Sequence, residues 1–324
     1  ERENAATLNA CLVDVAERTI NAIRNAIFSL GLDVPLFLSQ NDGTLMDAEF
    51  AASYPVFTIA SGPTNSMRGA AFLSGVLDGI VVDIGGTSTD GGALVSGFPR
   101  EASVAVNVAG VRTNFRMPDV FSIALGGGSI VQRDPFQIGP ASVGYRLVEE
   151  GLVFGGNVLT TTDMAVVAGL ADIGNSGLLG GVGKSFAEDV ISEIQTRIED
   201  VVDQLKLSAA PVPVILVGGG NILAKNSLAG ASDVLRPEHA GVANAIGAAI
   251  AQVGGQVEKV YSLSDVSREE ALASAKQEAT DKTVGAGADP STVEIVEVEE
   301  VPLAYLPSNA VRVRIKAVGN LANL

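Results

Sequence analysis

The sequence predicts a layered α/β fold, and three observations carry that prediction. Apolar, strand-like runs end in glycine clusters at 85–92, 126–128 and 218–220. Helical stretches lie between them. In the clearest, 184–206, Phe186, Val190, Ile191, Ile194, Ile198, Val201, Val202 and Leu205 fall on one stripe. Finally, 47% of residues are hydrophobic but only 5% aromatic. Ala, Val, Ile and Gly therefore fill the core, as suits strands and helices packed in layers.

The elements follow in order. Residues 4–30 read as a long helix, with Leu8, Leu12, Val15, Ile20, Ile23 and Ile27 near helical spacing and Gly31 as its stop. The single cysteine, Cys11, lies in that helix and reads as core. One thiol forms no intrachain disulfide and fits a reducing, cytoplasmic compartment. "VPLFLSQNDG" (34–43) reads as a short buried strand with a polar turn. "YPVFTIASGP" (54–63) reads as a strand and a Gly-Pro turn, with a helix from about Asn65. "GIVVDIGG" (79–86) and "GGALVSGFP" (91–99) form a hairpin, and "ASVAVNVAG" (102–110) a third strand. "DVFSIALGGGSI" (119–130) is a strand running into a loop, and "TTTDMAVVAGLADIG" (160–174) is a helix. "PVPVILVGGGN" (211–221) is a fully buried strand. "HAGVANAIGAAIAQVGG" (239–255) is a helix of small residues suited to close packing.

Beyond this point the composition changes. Alternating strands over 256–263, 291–306 and 309–321 and a charged helix over 266–287 predict an α+β lobe with one wet sheet face. The expected domains are 1–254 and 255–324.

Lys and Arg number 21 against 37 Asp and Glu, a net charge of −16. Such a surface repels phosphate backbones, which argues against a nucleic-acid partner. The sequence has no uninterrupted apolar run of about 18 residues and no signal peptide, so no membrane span is expected. The one histidine, His239, reads as a surface or capping residue and leaves Ser-His-Asp or Cys-His chemistry little to draw on. The first residue is Glu1, which predicts a fragment, a processed product or a trimmed chain.

The chemistry concentrates at the strand ends, where open α/β folds bind ligands. Asp83 ends a strand, Gly85 and Gly86 turn the chain, and Thr87, Ser88 and Thr89 offer hydroxyls beside backbone N–H groups. Such a loop suits a terminal phosphate. Asp83 and Asp90 suit a magnesium ion, with Asp83 holding it directly or through a bound water. The alternative is a hairpin turn in which these side chains cap their own backbone. Gly218, Gly219, Gly220 and Asn221 suit an adenine ring or a ribose, or equally a loose strand-to-helix turn. Gly128 and Ser129 are a weaker candidate for a substrate or phosphate contact. Asp163 reads as a helix N-cap, and Ser61, Gly62 and Pro63 as either a Pro-shaped turn or a helix start whose amides hold an anion.

Together "SQNDGTLM", "SGPTNSMRGAAFLSG", "VVDIGGTSTDGGALVSGFP", "ALGGGSI" and "VILVGGGN" resemble, in this order, the hydantoinase A / 5-oxoprolinase family. The tail "VEIVEVEEVPLAYLPSNAVRVRIKAVG" looks like that of its shorter members. The resemblance implies an actin-like ATPase (ribonuclease H-like) lobe of mixed sheet and flanking helices, with ATP and Mg2+ as cofactors. It implies opening of a cyclic amide after phosphorylation of the amide oxygen. Residues 83–90 then form the second phosphate loop, with Asp83 and Asp90 catalytic, and 218–221 the adenosine-side loop. A second hydantoinase subunit is an implied partner. Two rivals stand beside this: another actin-like small-molecule kinase, and a non-catalytic scaffold docking a partner through Glu294, Glu297, Glu299 and Glu300. Those four glutamates are otherwise a solvated strand face.

This sequence departs from the family pattern in three places. Members carry an earlier Asp-x-Gly-Gly-Thr loop in an N-terminal lobe, and this chain has one such loop only. Gly91 and Gly92 replace bulkier residues, which predicts a looser hairpin. Thr64, Asn65 and Ser66 stand where small apolar residues and glycine are usual. With one phosphate loop, the 324-residue chain alone is expected to show no substantial ATP-dependent ring opening of a hydantoin or 5-oxoproline. Product analysis checks this, and robust turnover contradicts it.

Overall fold

The structure, a computed structural model, describes residues 1–102, 107–108, 110–304 and 309–322. Most of the strand expected over 102–110, and the end of that expected over 291–306, lie outside the described residues. The helices are α1 (Arg2–Ser29), α2 (Ala48–Ser53), α3 (Ser61–Ser74), α4 (Leu147–Glu150), α5 (Thr161–Val167), α6 (Lys184–Leu205), α7 (Ala243–Ala249) and α8 (Arg268–Gly285). The first strands are β1 (Phe37–Ser39), β2 (Leu45–Asp47), β3 (Gly79–Ile84), β4 (Thr89–Val95), β5 (Phe98–Pro99), β6 (Asn107–Val108), β7 (Val111–Arg112) and β8 (Val120–Ile123). They are followed by β9 (Ser129–Gln132), β10 (Gln137–Ser142), β11 (Val212–Val217), β12 (Ala231–Leu235), β13 (Val253–Ser262), β14 (Glu294–Pro302) and β15 (Ala310–Gly319).

The chain divides into two compact units, Ala60–Ile250 and Glu1–Ile59 with Ala251–Leu324. The division expected from sequence kept 1–254 together. In the structure the amino-terminal segment shares a core with the C-terminal lobe.

In unit Ala60–Ile250 a mixed sheet runs β12-β11-β3-β4-β5, with β8 also paired to β4. β11 is parallel to β3 and β12, and β4 is antiparallel to β3, β5 and β8. This is the mixed α/β class expected. β3 and β11 read as unbroken apolar runs because both of their faces are buried. Ile80, Val82, Ile84, Val214 and Leu216 pack with Val190, Ile194, Ile198 and Val201 of α6. Val81, Ile215 and Val217 face Met67 and Ala70 of α3 and Ala243 of α7. Each such fully buried Ile or Leu contributes about 1.5–3 kcal/mol.

Gly91 and Gly92 have a packing role that overturns the expected loosening. A Cβ on Gly91 would lie 2.3 Å from Val201 Cγ1, and one on Gly92 2.5 Å from Met67 Sδ. Helices close on both faces of β4, and its register with β3 runs unbroken from Gly79↔Leu94 to Ile84↔Thr89. α3 and α7 approach in the same way, since a Cβ on Gly69 would lie 1.9 Å from the Ala243 carbonyl oxygen.

Other expectations change too. Residues 54–60 form no strand. Pro55–Thr58 is a 3-10 turn, α3 begins at Ser61, and Pro63 sits in its first turn, where a missing N–H is harmless. The 239–255 helix is shorter, because Val253 already starts β13. Cys11 is exposed, not core. Of the described residues of α1, only Ala5 and Ile20 are buried.

In the other unit the sheet runs β1-β2-β13-β15-β14. α8 lays Ala271, Ala275 and Ala279, spaced by four, against it, with Val257, Val313 and Ile315 among the buried residues below. On this sheet Glu297 pairs with Arg314, Glu299 with Arg312 and Arg314, and Glu300 with Arg268. Three of the four glutamates read as a docking face are therefore engaged within the unit. Among the described residues, no helix is long and apolar enough to cross a membrane.

The turn before β2 is tied to β15 by an ion pair. Lys316 Nζ lies 2.9 Å from Asp42 Oδ2, and Thr44 donates to Asp42 Oδ1 from its N–H (2.9 Å) and hydroxyl (2.6 Å). Burial pushes the Asp42 carboxyl up, but the Lys316 charge and the Thr44 hydrogen bonds outweigh it and hold the carboxyl below its ordinary value. A depressed folded value stabilises the fold above the unfolded value of about 4, and that stabilisation is lost as pH falls through the folded one. Fully buried pairs cost about 3–5 kcal/mol when broken. Asp42 keeps 23% of its side chain exposed. Asp42→Asn is therefore expected to cost less, about 2 kcal/mol at pH 7, with the difference shrinking below about pH 4. Urea midpoints at the two pH values check this.

Candidate functional site

The three glycine loops converge on the end of β3. Asp83 is its penultimate residue and stands opposite Asp90 of β4 in register. Between them the chain turns at Gly86 and Thr87, closed by a hydrogen bond from Gly85 N–H to Ser88 O (2.8 Å).

The turn's carbonyls point into the protein. Ile84 O accepts from Gly220 N–H (2.7 Å), Gly85 O from Gly127 N–H (2.9 Å) and Gly86 O from Gly128 N–H (2.7 Å). Glycine is required for this approach. A Cβ on Gly126 would lie 2.6 Å from Thr87 N, and one on Gly220 2.6 Å from Gly85 O. On the outer side, among the described residues, no hydrogen bond occupies the N–H groups of Gly86, Thr87 and Ser88. Gly86 and Thr87 are exposed. With the Ile84, Gly85 and Gly86 carbonyls committed inward, the turn presents amides and hydroxyls outward, a donor set suited to an anion.

Gly218 has φ +82°, and a Cβ there would lie 2.2 Å from Asp83 Oδ1. Gly219 is exposed, with nothing within 4 Å of where its Cβ would be. Asn221 donates from Nδ2 to Gly218 O (2.6 Å), fixing the turn. Gly128 and Ser129 are buried, and the Ser129 hydroxyl accepts from Gly126 N–H (2.9 Å). That pair backs the 83–90 turn from behind and is buried. The Thr89 side chain is likewise buried and donates to Leu125 O (2.6 Å).

Asp83 accepts from Ser66 Oγ (2.5 Å). Burial raises its carboxyl above the ordinary value. The Ser66 hydrogen bond opposes this and the nearby Asp90 charge adds to it. Asp90 accepts from Ser88 Oγ (3.2 Å) and from Ser122 Oγ. Among the described residues, no group of three or more His, Cys, Asp or Glu surrounds a metal position. Two carboxylates fit magnesium all the same, because it retains waters and takes phosphate oxygens. A cation between them would relieve the burial of Asp83.

Asp163 differs from its expected role. Thr160 is the N-cap and Asp163 the third helical residue, in a capping box. Its carboxylate also accepts from Val153 N–H (2.7 Å). His239 is an exposed residue ahead of a 3-10 turn. Ser61–Pro63 is the first turn of α3. Sequence reasoning missed four contributors. Ser66 and Ser122 hold the two aspartates. Ser142 donates to Gly86 O (3.2 Å), and Asn244 donates to Ser66 Oγ (3.3 Å). Only Ser66 left a signal, as a polar departure within "SGPTNSMRG".

The hydantoinase/oxoprolinase family matches residues 2–200. An uncharacterised protein of Methanocaldococcus jannaschii is 23% identical over 222 residues, which is 63% of this chain and 33% of its own length. The acetophenone carboxylase gamma subunit of Aromatoleum aromaticum is 27% identical over 176 residues, 52% of this chain and 24% of its own length. Among solved structures, nucleotide-free acetone carboxylase superposes with TM-score 0.72 at 17% identity, over 99% of this chain and 58% of that one. The ATP-dependent caprolactamase of Pseudomonas jessenii gives 0.71 at 18%, with the same coverage. The chain thus spans a third or less of the two sequence relatives and somewhat over half of the solved chains. The two solved structures share its fold.

The two neighbouring glycines separate folding from binding. Gly218→Val forces a Cβ against Asp83 at positive φ and is expected to lower the melting temperature by several degrees, about 2 kcal/mol or more. Gly219→Val meets open space and is expected to leave the melting temperature unchanged while weakening nucleotide binding. Thermal unfolding beside a binding titration checks both.

Proposed function

The chain belongs to the hydantoinase/oxoprolinase family, and on that premise we propose that it supplies the second phosphate loop and the adenosine-side loop of an ATP-dependent enzyme subunit. The observation that carries the proposal is the outward set of unoccupied N–H groups at Gly86, Thr87 and Ser88 between two carboxylates. In this scheme those amides and the Thr87 and Ser88 hydroxyls bind the terminal phosphate. Asp83 and Asp90 hold magnesium, directly or through water, while Gly218, Gly219, Gly220 and Asn221 face the adenosine. ATP with magnesium would supply a phosphoryl group to a substrate carbonyl oxygen, with ADP leaving. The protein's contribution is positioning and charge neutralisation.

The substrate class we favour is a cyclic amide. Once its oxygen is phosphorylated, water adds at the carbon, the C–N bond breaks as the nitrogen takes up a proton, and a second water splits the resulting acyl phosphate into carboxylate and phosphate. The fold shared with the caprolactamase supports this choice. A second reading, ATP-dependent carboxylation of a ketone, is supported by the likeness to an acetophenone carboxylase gamma subunit. That name also supports a partner subunit.

Calorimetry of the chain with magnesium-ATP tests the proposal. Binding is expected, weakened at least tenfold by Asp83→Ala, as befits loss of a charge-bearing metal contact. No binding in the 324-residue chain or in any longer natural form favours the scaffold alternative. In the active assembly, an opened ring, a carboxylated ketone and an accumulating phosphorylated substrate identify the amidohydrolase, the carboxylase and the kinase respectively.

A further inference from the structure

We propose that Ser66 is a positioning residue for the magnesium site at Asp83, a function resting on the metal reading above. Ser66 is 1% exposed on α3 and donates to Asp83 Oδ2 at 2.5 Å. The direction of that bond is fixed by its neighbour. Asn244 Nδ2 lies 2.8 Å from Gly62 O, a carbonyl that only accepts, so the amide nitrogen faces this side. The same nitrogen lies 3.3 Å from Ser66 Oγ and can only donate to it. The single Ser66 hydrogen is thereby committed to Asp83. Oδ1, the other carboxylate oxygen, is flanked by Gly218, whose Cβ would lie 2.2 Å from it. The carboxylate is held between a hydroxyl and a bare Cα, in one orientation.

A buried hydroxyl without a partner is costly. Ser66 has two partners, and both are aligned along one path from Asn244 to Asp83. Such outer partners set how well a ligating carboxylate is prepared for its ion.

The test uses Mn2+ as a paramagnetic probe, titrated into the 324-residue chain with ATP present and followed by water-proton relaxation. Ser66→Ala is expected to weaken Mn2+ binding about tenfold or more. Ser66→Thr, which keeps the hydroxyl, is expected to recover most of that loss. Asn244→Ala should shift binding in the same direction by less. ATP binding in EDTA should be the same in all of these, which a general packing defect would not allow. If Asp83→Ala abolishes Mn2+ binding while Ser66→Ala and Asn244→Ala match the wild type, the positioning role is overturned and the metal reading stands. If Asp83→Ala matches the wild type, the metal reading is overturned and this inference goes with it. Should Ser66→Ala fail to fold, Asn244→Ala decides alone: wild-type Mn2+ affinity overturns the proposal.

Discussion

Backbone meeting backbone at the end of β3 is the contact on which the rest of the site depends. Two loops distant in sequence place their main chains against one turn, and glycine makes this possible at Gly126, Gly128, Gly218 and Gly220. The contact also sorts the polarity of that turn. The carbonyls of Ile84, Gly85 and Gly86 are consumed by neighbouring N–H groups, leaving the turn's own amides outward. A tight turn and a set of outward donors are therefore compatible in one segment. The chain between Asp83 and Asp90 is a tight turn whose Ile84, Gly85 and Gly86 carbonyls are engaged inward, and the same arrangement leaves its amides free as donors.

The same economy of side chains sets the layers. β4 gives up its side chains at Gly91 and Gly92, and α6 and α3 fill the space from either face. α3 and α7 cross where Gly69 and Gly247 leave backbone bare. In the other unit, alanines of α8 do the equivalent against the sheet.

Much of this was legible in the sequence, for physical reasons that can be named. α6 was readable because nine of its residues are buried on one stripe. β3 and β11 were readable because burial on both faces leaves an unbroken apolar run. The glycine clusters marked the site because close approach excludes every other residue type. Illegibility had equally definite causes. Val56 and Phe57 look like strand residues, but Pro55 and the 3-10 turn dispose of them differently. α1 carries helical spacing that its own unit scarcely covers, so Cys11 was misplaced. Asn244 and Ser66 stand 178 residues apart and meet only through the α3–α7 crossing. No local pattern announces such a pair.

The loops 83–90, 126–129 and 218–221 contain no lysine or arginine. Their fixed charges are the two carboxylates at the base of the turn, while the donors above are neutral. A receptor of this kind repels a bare polyanion and is itself uncomfortable without a cation. On the proposed reading each ligand would therefore raise the affinity for the other by the same factor, as thermodynamic linkage requires. In the proposed scheme the loops' lack of a positive side chain makes the cation the partner that strengthens phosphate binding, so metal-free ATP binds more weakly than magnesium-ATP.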